Sequence, residues 1–328
     1  MNSTFDPATC TYATCSVDDY GQLRYIPSLA GNAFYLGVFS LACLAQVFLG
    51  VWHRTWGFMF GMLGGIGLEI LGYAYRVRLH YDDFNNNYFI IYLVGLTIGP
   101  ALFSGAIYIC LARIIAVYGP RLSVLSPRAI TVIFVGCDFF SLVLQAAGGA
   151  LTALDISLSL DQIGVDLLIA GLASQVASTT AFCGVCLQIM LSVHRRPGLV
   201  NRNSSALRRS LKFKLFLSAI AISTLAILIR CSFRVAELSK GFSSALANDE
   251  VKFMVLDGAM MALAVSVLCI GHPGPALGIM WAQGGFKLCR GRGRGRGSKK
   301  YKTVQFAHGL SAPEAAGVEF STTRVVVK

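Results

Sequence analysis

Seven long apolar runs divide most of this sequence, and they restrict the chain to one class of fold. A helix needs about 20 residues to cross roughly 30 Å of hydrocarbon, because each residue adds about 1.5 Å. A chain in lipid must also satisfy its own backbone hydrogen bonds, which favours helices in these runs. The sequence therefore predicts an all-α membrane protein, a seven-transmembrane helix bundle. The predicted spans are Asn32–Val51, Gly57–Tyr75, Tyr88–Ala112, Ala129–Leu151, Val165–Val193, Leu215–Val235 and Phe253–Gly271.

The composition excludes an ordinary soluble domain. Of 328 residues, 55% are apolar and only 13% are charged, whereas a soluble domain has about 25% charged residues. We divide the chain into an N-terminal segment, residues 1–31, a transmembrane domain, residues 32–272, and a basic tail, residues 273–328. The composition of the tail is typical of a disordered segment.

The distribution of lysine and arginine predicts the orientation. Loops rich in these residues stay in the cytosol. The N-terminal segment and the even-numbered loops carry five of them, and the odd-numbered loops and the tail carry 21. We therefore expect an extracellular N-terminus and a cytosolic C-terminus. The five on the outer side are Arg24, Arg76, Arg78, Lys240 and Lys252.

The two termini carry separate signals. The tail has alternating arginine and glycine at residues 290–297, followed by three lysines. A basic segment next to a membrane attracts anionic lipid, at about 1 kcal/mol per residue, so we expect the bilayer as its partner and no nucleic acid. On the outer side, Cys10 and Cys15 could form a small disulfide ring or remain free thiols.

The fourth predicted helix carries a polar face. Asp138, Ser141, Gln145, Gly148 and Gly149 fall within an arc of about 100°. A carboxylate near the middle of a spanning helix costs about 2.5 to 3.5 kcal/mol, so it needs a partner. We expect this face to line a polar path through the bundle.

Other polar residues lie inside helices two, six and seven. A glycine stripe in helix two, typical of close helix packing, leads into polar residues near the predicted outer end. The sequence places Asp138 about 13 Å and Asp257 about 24 Å from the inner edge. These charges are either a salt-bridge cluster that fixes the packing or the lining of a hydrated half-cavity that opens outward. They are Glu69, Tyr73 and Arg76 in helix two, Arg230, Arg234 and Glu237 in helix six, and Asp257 in helix seven.

At these positions the chain resembles the fungal RTA-like family, seven-helix proteins grouped as lipid-translocating exporters and named for resistance to an aminocholesterol. One departure is Met254, where the family usually has tyrosine. The residues that carry the resemblance are Glu69, Gly72, Tyr73 and Arg76; Asp138, Ser141, Gln145, Gly148 and Gly149; Arg230, Phe233, Arg234, Glu237 and Gly241; Glu250 and Asp257; and His272, Pro273 and Gly274.

The resemblance implies a transporter or translocase that exports or flips amphiphilic lipids or toxicants, such as sphingoid long-chain bases, sterol-like compounds or, in some members, porphyrins. Glu69, Asp138 and Asp257 would meet a cationic head group. Arg230 and Arg234 would pair with these carboxylates or meet a phosphate. We take the ten polar residues as candidate substrate contacts: Glu69, Tyr73, Arg76, Asp138, Ser141, Gln145, Arg230, Arg234, Glu237 and Asp257.

The alternative is a heptahelical sensor or receptor for a lipid-like ligand. Helix seven has no lysine for a retinal Schiff base, which disfavours an opsin. A zinc hydrolase is also disfavoured, because the five histidines fall at helix ends, in loops or in the tail. We predict no catalytic residues, no metal and no cofactor, and no nucleotide motif of the Walker type occurs. The expected location is the plasma membrane, with an endomembrane or the vacuolar membrane as the alternative.

Overall fold

A computed structural model describes residues 12, 16, 21, 23–119, 122–123, 125–153, 158–201, 204–239, 249–278 and 281. The chain divides into one compact unit, Met1–Gly285, and a second, Phe286–Lys328, that lies outside the described residues. Cys10, Cys15, Gly241 and the arginine and glycine repeat also lie outside them. The predictions made for these segments remain predictions.

The described residues form seven long helices, each apolar and long enough to cross a membrane. Each one overlaps its predicted span, so the prediction of a seven-helix bundle is confirmed, while the orientation remains a prediction. Helix α7, residues 250–270, has an α-helical turn at Glu250–Phe253, a π-helical segment at Met254–Ala259 and an α-helix at Met260–Ile270. The others are α1 (Leu29–His53), α2 (Trp56–Tyr81), α3 (Asn86–Tyr118), α4 (Pro127–Ala153), α5 (Leu158–Arg195) and α6 (Leu211–Ser239).

Polar caps begin several of these helices. The hydroxyl of Ser28 accepts a hydrogen bond from the amide of Gly31 at the start of α1, and the side chain of Asn85 accepts from the amide of Asn87 at the start of α3. Asp249 caps α7 in the same way through the amide of Lys252. The caps satisfy amide groups that have no carbonyl partner in the first helical turn.

Helix α3 lies in the interior of the bundle and packs closely against α2. A Cβ on Gly95 of α3 would lie 2.9 Å from the carbonyl oxygen of Leu68, and a Cβ on Gly72 of α2 would lie 2.6 Å from Leu96 Cδ2. Glycine at these positions lets the two backbones approach, as is common where helices pack in lipid. The close packing predicted for the glycines of α2 therefore extends along its contact with α3.

Helices α4 and α5 form a second close pair. A Cβ on Gly148 of α4 would lie 2.6 Å from the carbonyl oxygen of Gly164, and a Cβ on Gly171 of α5 would lie 2.8 Å from that of Ser141. The opposite side of α4 carries exposed apolar side chains, Phe139 among them. An exposed apolar face on a long helix suits lipid as its surroundings. The polar face of α4 therefore faces α5 and the interior.

Candidate functional site

A buried ion pair joins α6 to α7. The Nε atom of Arg230 lies 2.7 Å from Oδ1 of Asp257, and both side chains are fully buried. The same guanidinium donates a hydrogen bond through its NH2 group to the carbonyl oxygen of Leu96 on α3. One side chain of α6 therefore contacts both α3 and α7.

The position of Pro100 explains the contact with Leu96. Proline has no backbone N–H, so in a helix the carbonyl four residues earlier loses its usual donor. That carbonyl belongs to Leu96, and α3 continues through the proline. Arg230 supplies the missing donor, so a residue of α6 satisfies a backbone group that the sequence of α3 leaves free.

Asp257 lies on the π-helical segment of α7. A π-turn widens the helix and weakens its regular hydrogen bonding, and such turns are frequent at functional sites. A side chain of a neighbouring helix bonds to this segment, since the hydroxyl of Tyr35 on α1 donates to the carbonyl oxygen of Met254 over 2.7 Å. The side chain of Met254 packs beside α1, since a Cβ on Gly31 would lie 3.1 Å from its Cε. The residue that departs from the family pattern thus occupies a packed position at the edge of this segment.

Glu69 of α2 is buried beside the ion pair. Neither carboxylate oxygen has a hydrogen-bond partner among the described residues, and its charged neighbours include Arg230, Arg234 and Asp257. Glycine at position 99 leaves room for it, because a Cβ there would lie 2.9 Å from Oε1. This carboxylate is close enough to Arg230 to interact with it electrostatically but forms no ion pair within 4.0 Å in the described chain.

Tyr73, one turn beyond Glu69, is also fully buried. Its ring stacks on Phe39 with a centroid distance of 5.6 Å and lies 5.3 Å from Tyr35. Its hydroxyl has no hydrogen-bond partner in the part of the chain that the structure describes. A buried hydroxyl of this kind is available to bind a polar ligand group.

Arg234 and Arg76 are buried in different ways. Arg234 forms an ion pair of 2.7 Å with Glu237 on its own helix. The Arg76 guanidinium instead lies 3.9 Å from the ring centre of Phe253, and it donates to Tyr25 and to Asn32 over 2.9 and 3.0 Å. Aromatic faces stabilise a cation without neutralising its charge.

Asp138 of α4 does not pair with an arginine of α6, so that expectation is wrong. Its Oδ2 accepts a hydrogen bond of 2.8 Å from the hydroxyl of Tyr108 on α3. Arg230 and Arg234 take Asp257 and Glu237 instead. The physical reason is position, since Asp138 faces α3 and α5, whereas the two guanidinium groups are held between α3 and α7 and along α6.

The other polar residues of α4 form the contact with α5. The amide of Gln145 donates from Nε2 to Oε1 of Gln175 over 3.2 Å, and both side chains are buried. The hydroxyl of Ser141 donates to the carbonyl of Cys137 on its own helix. Of the three predicted polar side chains on this face, those of Asp138 and Gln145 therefore hydrogen-bond to neighbouring helices.

The ten candidate residues thus fall into two groups. The charged cluster is formed by Glu69, Tyr73, Arg76, Arg230, Arg234, Glu237 and Asp257, and it contains three carboxyl groups and three guanidinium groups. The α4–α5 seam contains Asp138, Ser141 and Gln145. All ten are buried, so in this conformation of the described residues they do not line an open half-cavity, which was one of the two alternatives for the charged residues.

The sequence analysis missed three residues that complete the seam, Tyr108, Gln175 and Ser178. A signal for two of them was present, because Gln175, Ser178 and Thr179 follow helical spacing on one side of the fifth apolar run. Tyr108 gave no such signal, since a lone tyrosine in an apolar run is typical of ordinary packing.

A short segment before α1 covers the end of the bundle where α2 ends and α7 begins. This N-terminal strap, residues 23–28, is held by three side chains. The amide of Leu23 donates to Asp83 over 3.2 Å, the carbonyl of Pro27 lies 2.7 Å from His80 Nδ1, and the amide of Ser28 donates to Glu250 over 2.5 Å.

Burial raises the pKa of the Asp83 carboxyl to about 7, although the hydrogen bond from the amide of Leu23 and the charge of Arg76 lower that pKa. Burial has this effect because it disfavours the charged form of a carboxyl group. Asp83 therefore titrates near neutral pH, at the contact that holds the strap.

Comparison with known proteins gives related sequences over most of the chain. A family model described as RTA1 like protein matches residues 62–279. The Saccharomyces cerevisiae protein named sphingoid long-chain base transporter RSB1 is 31% identical over 283 residues, which cover 78% of this chain and 73% of the relative. Protein RTA1 of the same organism is 29% identical, covering 78% of this chain and 86% of its own. Protein RTM1 is 30% identical over 209 residues, 63% of this chain and 64% of its own. No solved structure matches.

Proposed function

The chain belongs to the RTA1-like family of membrane proteins, and on this premise we propose that it is a transporter or translocase that exports or flips amphiphilic lipids or lipid-like toxicants. The observation that carries this proposal is the charged cluster, whose six acidic or basic side chains are buried between helices that are long enough to span a membrane. Ionisable groups inside spanning helices are costly and mark pathways for substrates or ions. The name of the RSB1 relative supports a long-chain base as one substrate.

In this proposal the head group of the amphiphile passes the polar residues of the bundle while its hydrocarbon chain remains in lipid. The ten candidate residues supply the contacts, and both signs of charge are present to replace water around the head group. The local geometry supports movement as well. The π-helical segment of α7 and the proline of α3 lie on either side of Arg230, where the regular helix bonds are interrupted.

The buried charged cluster is consistent with the state of a transport cycle in which no ligand is bound. Because its ion pairs form between its own side chains, the charged cluster is stable in this state without a bound ligand. A head group that enters would have to exchange with one of the ion pairs or with the aromatic contacts of Arg76. A lipid sensor, the other function we considered, draws support from the helix number alone.

The same proposal includes the membrane and the partners. We propose the plasma membrane as the location, with an extracellular N-terminus, and anionic lipid as the partner of the basic tail. The alternative location is an endomembrane or the vacuolar membrane. Work would come from a gradient, an acceptor for the lipid or a separate ATPase.

Transport by the purified full-length chain tests the proposal. The chain is reconstituted in liposomes that contain a radiolabelled long-chain base, and the rate at which albumin extracts the label from outside is measured. Functional protein should make the inner pool extractable faster than in liposomes without protein. The variant Asp166→Asn, which alters an exposed carboxylate on α5, should match the unmodified chain. Rates equal to those of protein-free liposomes for long-chain bases and sterol-like amphiphiles alike would refute the proposal.

A further inference from the structure

The α4–α5 seam holds a carboxylate that no basic side chain of the described chain neutralises. Asp138 is 4% exposed, and its Oδ1 atom has no hydrogen-bond partner among the described residues. None of the described arginines and lysines lies within 4.0 Å of it. A buried carboxylate with one free oxygen is costly unless a proton or a cation joins it. Asp138 therefore has both the charge and the free acceptor that a cationic group requires.

Three aromatic rings, the aromatic triad, lie next to this carboxylate. Tyr108 donates to Asp138, and its ring lies 4.5 Å from that of Phe182 and 5.6 Å from that of Phe134. Phe134 and Phe182 meet edge to face at 5.4 Å. Aromatic faces attract ammonium groups and repel anions. The surroundings of Asp138 thus favour a cation.

A second acceptor lies beside Asp138. Ser178 of α5 lies beside the carboxylate of Asp138 and the hydroxyl of Tyr108, close enough for its own hydroxyl to bond to them, and it is 8% exposed. A primary ammonium has three N–H donors. Asp138 Oδ1 and Ser178 Oγ are two acceptors on facing helices that such a group can use.

Farther along the seam, the paired glutamines also keep unused polar atoms. Gln145 Oε1 and Gln175 Nε2 have no partners among the described residues, although their other amide atoms bond to each other. One atom is an acceptor and the other is a donor, so together they match a hydroxyl group. The seam therefore offers a cation site followed by a site for hydroxyls.

We propose that the α4–α5 seam binds the head group of an unphosphorylated, single-chain amino alcohol, with the ammonium at Asp138, Ser178 and the aromatic triad and the hydroxyls at Gln145 and Gln175. This inference rests on the proposed function and assigns to the seam the site where the head group binds, while the charged cluster remains on the path that the head group passes. Without a ligand, the hydroxyl of Tyr108 donates a hydrogen bond to the carboxylate of Asp138. The ammonium replaces this donor when it binds. A phosphate is disfavoured, because it would face Asp138 with none of the described basic side chains close enough to neutralise it.

Binding to the full-length chain in lipid nanodiscs tests the assignment. The ligand is a radiolabelled 18-carbon 2-amino-1,3-diol, and its competitors are the neutral N-acetyl derivative and the phosphate monoester. The unmodified chain should prefer the free amine to both competitors. Asp138→Asn should weaken binding of the amine by about tenfold to a hundredfold, as expected for one charge-assisted hydrogen bond, and should leave the N-acetyl derivative unaffected.

Three further variants separate binding from folding. Tyr108→Phe removes the competing donor, so affinity for the amine should be kept or increased. Ser178→Ala removes the second acceptor and leaves the carboxylate of Asp138 in place, so it should weaken amine binding several-fold in a chain that still unfolds cooperatively. This variant decides the matter if Asp138→Asn does not fold. The matched control Asp166→Asn should bind as the unmodified chain does.

An amine preference that survives both Asp138→Asn and Ser178→Ala would overturn the assignment, and so would Tyr108→Phe losing the preference. Failure of the proposed function would look different. In that case the unmodified chain would move no amphiphile in liposomes, whatever the seam variants do to binding. Transport that persists together with an amine preference independent of Asp138 would refute the seam alone.

Discussion

The two partners of the buried ion pair should differ in their importance for stability. Arg230→Gln leaves Asp257 without its cation, weakens the electrostatic support of Glu69 and removes the donor to the Leu96 carbonyl. Asp257→Asn leaves Arg230 with that carbonyl and with Glu69 nearby. Arg230 therefore interacts with three acceptors, Asp257, Glu69 and the Leu96 carbonyl. When Asp257 is replaced, Glu69 can still act as a counter-ion for the guanidinium.

The magnitudes follow from burial. Removing one partner of a fully buried pair costs about 3 to 5 kcal/mol, and we expect about 4 kcal/mol or more for Arg230→Gln. For Asp257→Asn we expect a smaller cost, about 2 kcal/mol, in the range for a buried polar group that loses one partner, because the Leu96 carbonyl and Glu69 still face the guanidinium. The double variant should cost about 4 kcal/mol, less than the sum, with a coupling energy of about 2 kcal/mol.

Reversible unfolding of the purified chain in mixed detergent micelles, followed by circular dichroism, measures these differences. Lys252→Gln is the control, because Lys252 belongs to a half-exposed ion pair with Asp249 and pairs of that kind contribute little. Additive losses in the double variant, or a larger loss for Asp257→Asn than for Arg230→Gln, would refute the assignment of Arg230 as the shared donor.

Three further predictions concern packing, pH and topology. Gly148→Ala should reduce folded protein severalfold in size-exclusion profiles, because its Cβ would press on the backbone of α5, whereas Gly149→Ala, with open space around its Cβ, should behave as the unmodified chain. The raised pKa of Asp83 means that protonation favours the docked strap, so docking should weaken as pH rises from about 4 to about 7 and change little above that. Hydrogen exchange of the strap at pH 5 and pH 8 measures this, and Asp83→Asn should abolish the difference. Glycosylation tags should be modified at Asn85 and remain unmodified at Asn203, and modification of Asn203 would reverse the orientation predicted from the basic loops.

Hydropathy predicted the seven helices because the length of a membrane span leaves little freedom, and the spacing of polar residues identified which helix faces turn inward. The same reasoning located all ten buried candidate residues, since a polar side chain in an apolar run is a local feature of the sequence. Glu69 and Asp138 were recognised in this way before any partner was known. The family resemblance added a function, which the related sequences support, and a set of positions, whose role remains a prediction.

The pairing of those residues could not be predicted in the same way. Asp257 lies 27 positions from Arg230, and only the relative rotation of α6 and α7 brings them together. Asp138 met a tyrosine instead of an arginine for the same reason. The π-helical segment around Asp257 was also invisible, because its residues read as an ordinary apolar helix, and one added residue per turn changes no local composition.

Arg230 couples the proline-containing segment of α3 to the π-helical segment of α7. The regular hydrogen bonding of α3 is interrupted at Pro100, and that of α7 in its π-helical segment. The guanidinium of Arg230 contacts both of these segments. If that side chain withdraws, α3 loses the donor to its free carbonyl at the moment α7 loses its counter-ion. We therefore expect the irregular segments of α3 and α7 to change conformation together, since the same side chain stabilises both.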